Sequence, residues 1–281
     1  MVTWVTKADG SKQQFDKEKI VRTSLRMGAS REVADQIAQK IENTLYEGIT
    51  TREILRTIFA LMRKPKPAVK HLFDLKHGIS LMEPKPEFEA FVRVILAHSG
   101  FTVQSNMILR GLCGEHEVDA IATKDGLTYI VEAKHHVTYH ALTGLDESRI
   151  ARAIIEDLTD GYKQGATSIK IDRAMIITNT RYSNHAVVYG GCRGIVQVGW
   201  DSPDGFGLRE LVEKYRLYPL SCLRGVSWET RQRLVEVGIV LIKQLLEQDS
   251  AYLQRRIGLS RQEVLSLMEK ARHTTETLWQ V

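Results

Sequence analysis

Asp119, Glu132 and Lys134 are the side chains of this sequence whose types and spacing could do chemistry together. Asp119 lies in the run Glu115–Ala122, Glu132 and Lys134 lie in the run Leu127–Lys134, and Asp125-Gly126 stands between the two runs. An Asp-Gly pair between two apolar-rich runs predicts a two-residue hairpin turn. With those two residues at the centre of the turn, Asp119 faces Glu132 and Glu117 faces Lys134. Opposed side chains in a hairpin have Cβ atoms about 5 Å apart. Alternation puts Glu117, Asp119, Glu132 and Lys134 on one face and Val118, Ala120, Ala122, Tyr129, Val131 and Ala133 on the other, as a core surface. Two carboxylates that close repel each other unless a positive charge lies between them. A hard cation such as Mg²⁺ is bound by one or two carboxylates plus phosphate oxygens, and a neighbouring lysine can polarise a phosphate or an attacking water. The residues therefore suit metal-assisted hydrolysis of a phosphodiester. The same spacing also suits a solvated strand face whose charges pair across the hairpin, Glu117 with Lys134.

The elements around the hairpin must position that face. Phe88, Phe91, Val92 and Ile95 form a helical apolar stripe, and Glu89 lies beside it, either aimed at the site or left in water. Ser99-Gly100-Phe101 turns the chain into a strand. Ala174–Thr178 reads as a buried strand, Ser183 as the start of a helix, Gly194–Trp200 as a further strand and Leu208–Tyr215 as a closing helix. This succession predicts an α/β core. Asp119 followed by Glu132-Ala133-Lys134, in this order of elements, resembles the PD-(D/E)xK nuclease superfamily, and within it the Mrr-like restriction endonucleases, over residues 83–218. The resemblance implies a restriction-endonuclease-like fold, a central mixed sheet flanked by helices, and a Mg²⁺- or Mn²⁺-dependent endodeoxyribonuclease. Asp119 and Glu132 would be metal ligands, with the Ala133 carbonyl a third. Lys134 would activate the water and stabilise the phosphate, and Glu89 would be an outer or second-metal carboxylate. Mrr proteins often carry Gln where Glu132 stands. His135, His136 and His140 follow the site as surface histidines at a strand exit, or as contacts to phosphate or metal.

At 281 residues the chain exceeds one typical domain. No apolar run approaches the ~20 residues of a membrane span, and Met1–Lys7 lacks the apolar core of a signal peptide. Cys113, Cys192 and Cys222 stand singly, which argues against a disulfide framework and fits a reducing cytoplasm. The net charge of +5 points to nucleic acid as partner. It is unevenly shared: residues 1–82 carry +6, residues 83–218 carry −3 and residues 219–281 carry +2, so the segment bearing the carboxylates is not itself basic.

Residues 1–82 read as a small hairpin around Ala8-Asp9-Gly10-Ser11 followed by helices. Asp16 caps the first, which ends before Gly28. Ser30 caps the second, which stops at Gly48 with Val33, Ile37, Ile41 and Leu45 on one face. Thr50 and Glu53 form a capping box for the third, with Ile54, Ile58 and Leu61 inward. Lys64-Pro65-Lys66-Pro67 breaks the chain before a fourth helix over residues 69–81. The run Val5–Gly10, then Phe15–Ile20, and Tyr46–Thr51 resembles an ATP-cone. This implies ATP or dATP held near Val5, Lys7, Asp16, Lys19, Ile20 and Thr51, with Lys7 and Lys19 facing phosphates. Many cones have Arg where Ala8 stands and some have His where Leu55 stands, so a bidentate phosphate contact is lost here.

Residues 219–281 hold a weak repeat. Leu223-Arg224-Gly225-Val226-Ser227 precedes a helix from Trp228 to Val237, and Arg256-Ile257-Gly258-Leu259-Ser260 precedes one from Arg261 to Ala271. The units resemble tandem helix-hairpin-helix motifs, whose glycines bring backbone N–H groups to a DNA phosphate. Arg224, Gly225, Arg255, Arg256, Gly258 and Arg261 would be the phosphate contacts, and a helical dimerisation module is the alternative. Together these resemblances imply a metal-dependent DNA endonuclease regulated by ATP or dATP, and a homodimer or higher oligomer, because a duplex has two strands to cut. Alternatives are a nucleotide-sensing DNA-binding regulator that does not cleave, and an RNA nuclease.

Overall fold

A computed structural model describes residues 3–7, 10–26, 29–62 and 75–278. The expected turn residues Ala8 and Asp9, the Gly28 helix stop, the Lys64–Pro67 break and the start of the helix over 69–81 lie outside the described residues. The chain divides into two compact units. One comprises Leu75–Pro219 and Leu234–Leu241, the other the described parts of Met1–Asp74, Leu220–Arg233 and Ile242–Val281.

The first of these units is built on five strands, β3 (Thr102–Arg110), β4 (Glu115–Lys124), β5 (Leu127–Lys134), β7 (Arg173–Thr178) and β9 (Val196–Val198), hydrogen-bonded in the order β3-β4-β5-β7-β9. β3, β4 and β5 are antiparallel, whereas β5, β7 and β9 run parallel. Parallel neighbours require crossovers. Helix α6 (Leu145–Lys163) joins β5 to β7, and α7 (Asn184–Cys192) joins β7 to β9. The short strands β6 (Leu142–Thr143) and β8 (Arg181–Tyr182) pair beside them. Helices α4 (Leu75–Ser80), α5 (Glu89–His98) and α8 (Leu208–Tyr215) complete the unit. The fold is thus a mixed sheet flanked by helices, as the sequence predicts, although α6 lies outside the elements expected from it.

Both faces of the central strands carry apolar packing. Phe88, Phe91, Val92 and Ile95 of the expected stripe pack with Ala120, Ala122, Val131, Met175 and Leu211 on one face. Ile121, Ile130 and Ile176 pack with Ala151, Ile155 and Leu158 of α6 on the other. The hairpin register follows the Asp125-Gly126 turn, whose residues have φ +52° and +76° as a primed turn requires, and Ala120 pairs with Val131. Val118 departs from expectation. It packs with Ile121 rather than with Ala120, so the face alternation slips at Asp119.

In the other unit, β1 (Trp4–Thr6) and β2 (Lys12–Gln14) form the hairpin, followed by α1 (Lys17–Arg26), α2 (Arg31–Glu42) and α3 (Thr51–Met62). Asp16 Oδ1 accepts from Glu18 N, and Ser30 Oγ from Val33 N. Thr50 and Glu53 form the reciprocal capping box. α2 ends at Glu42 with Asn43 as its cap, not at Gly48 as expected. Gly48 instead has φ +84°, and its N–H donates to Trp4 O, so it turns the chain onto β1. Val5, Ile20, Ile37, Ile41, Ile54 and Ile58 share one core. The C-terminal helices are α9 (Trp228–Glu236), α10 (Ile242–Leu246), α11 (Ser250–Ile257) and α12 (Arg261–Leu278). α9 and α12 start where the repeat predicts, with Gly225 and Gly258 at φ +73° and +65° before them, and α12 runs beyond the expected Ala271. Among the described residues no helix is long and apolar enough to cross a membrane.

Candidate active site

The site forms where β4 leaves its neighbours. The β4–β5 ladder ends at Ala120–Val131, and the β3–β4 ladder skips the position of Asp119 between Ser105–Ala120 and Met107–Val118. Asn106, the β3 residue opposite Asp119, has φ +41°, a left-handed conformation that Asn tolerates better than most residues. The freed groups find other partners. Arg93 of α5 donates from one Nη to Asp119 O at 3.2 Å and to Asn106 Oδ1 at 3.1 Å. Asp119 Oδ2 in turn accepts the Ala133 N–H at 2.8 Å. That bond ties Asp119 to the strand bearing Glu132 and Lys134.

The expected residues are placed as follows. Asp119 is 9% exposed and Glu89 only 3%, so Glu89 does not stay in water. Burial pushes the Glu89 carboxyl up, and Lys85 opposes the shift. Burial, then the negative charge of Asp119, pushes Glu132 up to about 8. Lys134 reaches Glu147 of α6, Nζ to Oε1 2.7 Å, and Glu117 reaches Lys85 at 3.4 Å. The cross-hairpin pair Glu117–Lys134 is therefore not formed. Lys85, Arg93 and Glu147 join the site without having been marked by sequence spacing. Lys85 and Arg93 lie four residues either side of Glu89. That spacing could have drawn attention to them, whereas nothing local points to Glu147.

The histidines serve the strand exit. His135 Nε2 lies 3.0 Å from Ile79 O. His136 exchanges backbone bonds with the Asn179 amide, and its Nε2 lies 3.1 Å from Thr143 Oγ1. Burial, then the charge of Lys134, lowers the His136 pKa. His140 is exposed.

The donor set fits a hard divalent cation. Buried Asp119, a Glu132 whose pKa burial raises and a Glu89 Oε1 without a well-directed hydrogen bond are carboxylate oxygens of the kind such a cation takes. Among the described residues no three His, Cys, Asp or Glu side chains are already gathered in ligating geometry, so Asp119, Glu132 and the Ala133 carbonyl would complete the set with nucleic-acid or water oxygens.

In the other unit, Lys7 and Lys19 lie beside the hairpin, Lys7 N donating to Ser11 O and Lys19 N to Asp16 O. Thr51 opens α3, where Thr6 bridges to Thr50. Val5 and Ile20 are core residues, so their side chains support the hairpin from below. Arg256 and Arg261 are exposed around Gly258. Arg224 is half-buried, its guanidinium 5.2 Å from the centre of the Phe59 ring on α3, and it is less available to a phosphate than expected.

Comparison with known proteins finds three matched segments. Residues 3–70 match the ATP cone domain, residues 80–197 a restriction endonuclease domain and residues 218–273 the AF1548-like C-terminal domain. An uncharacterized protein of Archaeoglobus fulgidus is 34% identical over 178 residues, 63% of this chain and 96% of the relative. A crystal structure of AF1548, a protein of unknown function, superposes with a TM-score of 0.59 at 31% identity over 69% of this chain and 97% of that chain. The chain belongs to the AF1548-like family. A second uncharacterized protein of the same organism is 45% identical over 38 residues, 14% of this chain and 81% of the relative. This AF1548-like chain thus joins an ATP cone domain to a restriction-endonuclease-like domain.

Proposed function

We propose that this AF1548-like protein is a Mg²⁺- or Mn²⁺-dependent DNA endonuclease regulated by ATP or dATP. The observation that carries the reading is the Asp119 Oδ2 bond to Ala133 N, which gathers Asp119, Glu132 and Lys134 at one sheet opening beside buried Glu89. Asp119, Glu132 and the Ala133 carbonyl would hold the cation, with Glu89 behind them. When bound, it supplies Lewis acidity to the phosphate and a more acidic water. Asp119 is pre-oriented for its part, because one carboxylate oxygen is fixed by the Ala133 N–H and Arg93 holds its backbone. Burial and the charge of Asp119 push Glu132 up to about 8, so it would release its proton on taking its place around a cation. Lys134, steadied by Glu147, presents an ammonium that orients the attacking water and stabilises negative charge on the phosphate.

DNA, rather than RNA, is supported by the glycine turns before α9 and α12, which would offer backbone N–H groups to phosphates together with Arg256 and Arg261. We place the nucleotide at Lys7, Asp16, Lys19 and Thr51 over Val5 and Ile20, a reading supported by the ATP cone match over residues 3–70. The cysteines are free thiols, in keeping with a reducing compartment. The test is nicking of supercoiled plasmid with and without Mg²⁺ or Mn²⁺, and with and without ATP or dATP. Metal-dependent nicking that falls by 10²-fold or more in Lys134→Ala is expected, on the scale of losing one charge-stabilising donor (about 10²–10³-fold). Equal nicking by the variant, or none under any condition, would reject the reading.

A further inference from the structure

Lys85 occupies an unusual position for a side chain 62% exposed to solvent. Its ammonium lies 3.1 Å from Glu89 Oε1, 3.3 Å from Asp119 Oδ1 and 3.4 Å from Glu117 Oε1. Pro84 and Pro86 flank it, and each locks its own φ, so the arm that carries the lysine is stiff. Glu87 Oε2 accepts from Glu83 N and closes the same turn. The lysine thus reaches from a fixed base into a nest of carboxylates supplied by α5 and β4. It does not satisfy them fully, since the buried Glu89 Oε1 still lacks a hydrogen bond of good direction.

We propose that Lys85 is the resident counter-ion of this carboxylate nest, and that a divalent cation must displace it in order to bind. The inference rests on the metal-dependent reading above and names a regulator of that same site. A cation on Asp119 Oδ1 would stand a few ångströms from the Lys85 ammonium that now contacts the same oxygen, and the repulsion between the two charges opposes sharing it. Loading the site therefore costs the Lys85 contacts. It also frees an ammonium at the solvent edge of the nest, where the phosphate of a nucleic acid would take over as its partner. Metal and nucleic acid then load together, each weakening what keeps the other out.

The experiment is calorimetric binding of Mn²⁺ to the full-length protein at pH 7.5, without nucleic acid, for wild type, Lys85→Gln, Lys85→Met and Lys85→Arg. Removing the charge is expected to tighten Mn²⁺ binding about tenfold in both neutral variants, the scale of one partly screened charge interaction. Lys85→Arg should stay near wild type. Circular dichroism melts in chelator check that each variant folds, and two neutral variants of different shape guard against a packing artefact. Neutral variants that bind Mn²⁺ no tighter than wild type would overturn the inference and leave the metal reading standing. Failure of every protein, wild type included, to bind millimolar Mn²⁺ would overturn both.

Discussion

At the scale of single residues, the chemistry turns on Glu132. Its carboxyl is pushed up to about 8, because burial, and then the charge of Asp119, disfavour the ionised form. An ordinary glutamate titrates near 4.5 when the chain is unfolded. Between those values the metal-free folded protein binds the proton more tightly than the unfolded chain does. Stability therefore falls as pH rises from about 4.5 to 8, and by linkage metal binding strengthens over the same window as the proton is released. Glu132→Gln removes that titration. In chelator at pH 8 the variant should be more stable than wild type by roughly 2–4 kcal/mol, at ~1.4 kcal/mol per unit of displacement less some relaxation. At pH 4 the two should be nearly equal. Urea melts at both pH values measure the difference, and a variant no more stable at pH 8 would show that Glu132 is charged without metal. The Glu147 contact to Lys134 works in the opposite sense, keeping a positive charge beside a site that would otherwise be strongly acidic.

Elements place these residues with small tolerances, and α6 shows how. Gly161 faces the β3–β4 turn so closely that a Cβ there would stand 2.7 Å from the Gly111 carbonyl carbon and 2.8 Å from Leu112 N. Both neighbours are backbone and cannot step aside. Asp157, one turn earlier on α6, accepts the N–H groups of Cys113 and Gly114, and its Oδ2 lies 2.7 Å from His116 Nε2. These bonds, that of Cys113 N first, hold the Asp157 carboxyl down to about 2. Gly161→Ala would gain up to ~1 kcal/mol of helix propensity. The clash is worth more, so a net destabilisation of about 1–3 kcal/mol is expected in denaturant melts. Gly191→Ala in α7 meets nothing within 4 Å and should be neutral or slightly stabilising. The opposite signs of the two substitutions test the packing directly. Sequence legibility divides along the same line. The Asp125-Gly126 turn fixes its own register, so the pairing from the turn as far as Ala120–Val131 could be read from numbers alone, although the expected next pair, Asp119 with Glu132, lies beyond the end of the ladder. The slip at Asp119 could not, because it depends on Arg93 arriving from α5 to satisfy Asp119 O. Glu147 was hidden for the same reason, since it meets Lys134 through a contact across the fold that no local period encodes, whereas Lys85 stands four residues from Glu89 and only its reach to Asp119 was hidden. The apolar stripe of Phe88, Phe91, Val92 and Ile95, the caps at Asp16, Ser30 and Thr50, and the starts of α9 and α12 are local signals, and they were legible.

At the scale of the whole molecule, the ATP cone domain does not form a compact unit alone. Its described residues group with α10, α11, α12 and most of α9. Phe59 and Thr51 lie on one helix, α3, eight residues apart. The proposed nucleotide site stands at the start of that helix, while Phe59, near its end, lies under the Arg224 guanidinium. Arg224 precedes Gly225, whose carbonyl oxygen accepts from Lys270 Nζ of α12 at 3.4 Å. A nucleotide that orders the start of α3 should therefore stiffen the Gly225 turn and α12 as well, since a rigid helix transmits constraint along its length. Hydrogen exchange of the full-length protein with and without dATP measures this. Added protection is expected over residues 46–62 and also over residues 223–232 and 261–272. Phe59→Ala should keep the first and lose the second, because it removes the ring that Arg224 rests on, a contact worth about 0.5–2 kcal/mol. Protection confined to residues 46–62 in the wild type would mean that the cone and the C-terminal helices share a unit without sharing a signal. Nucleotide control of DNA binding would then need a route other than α3.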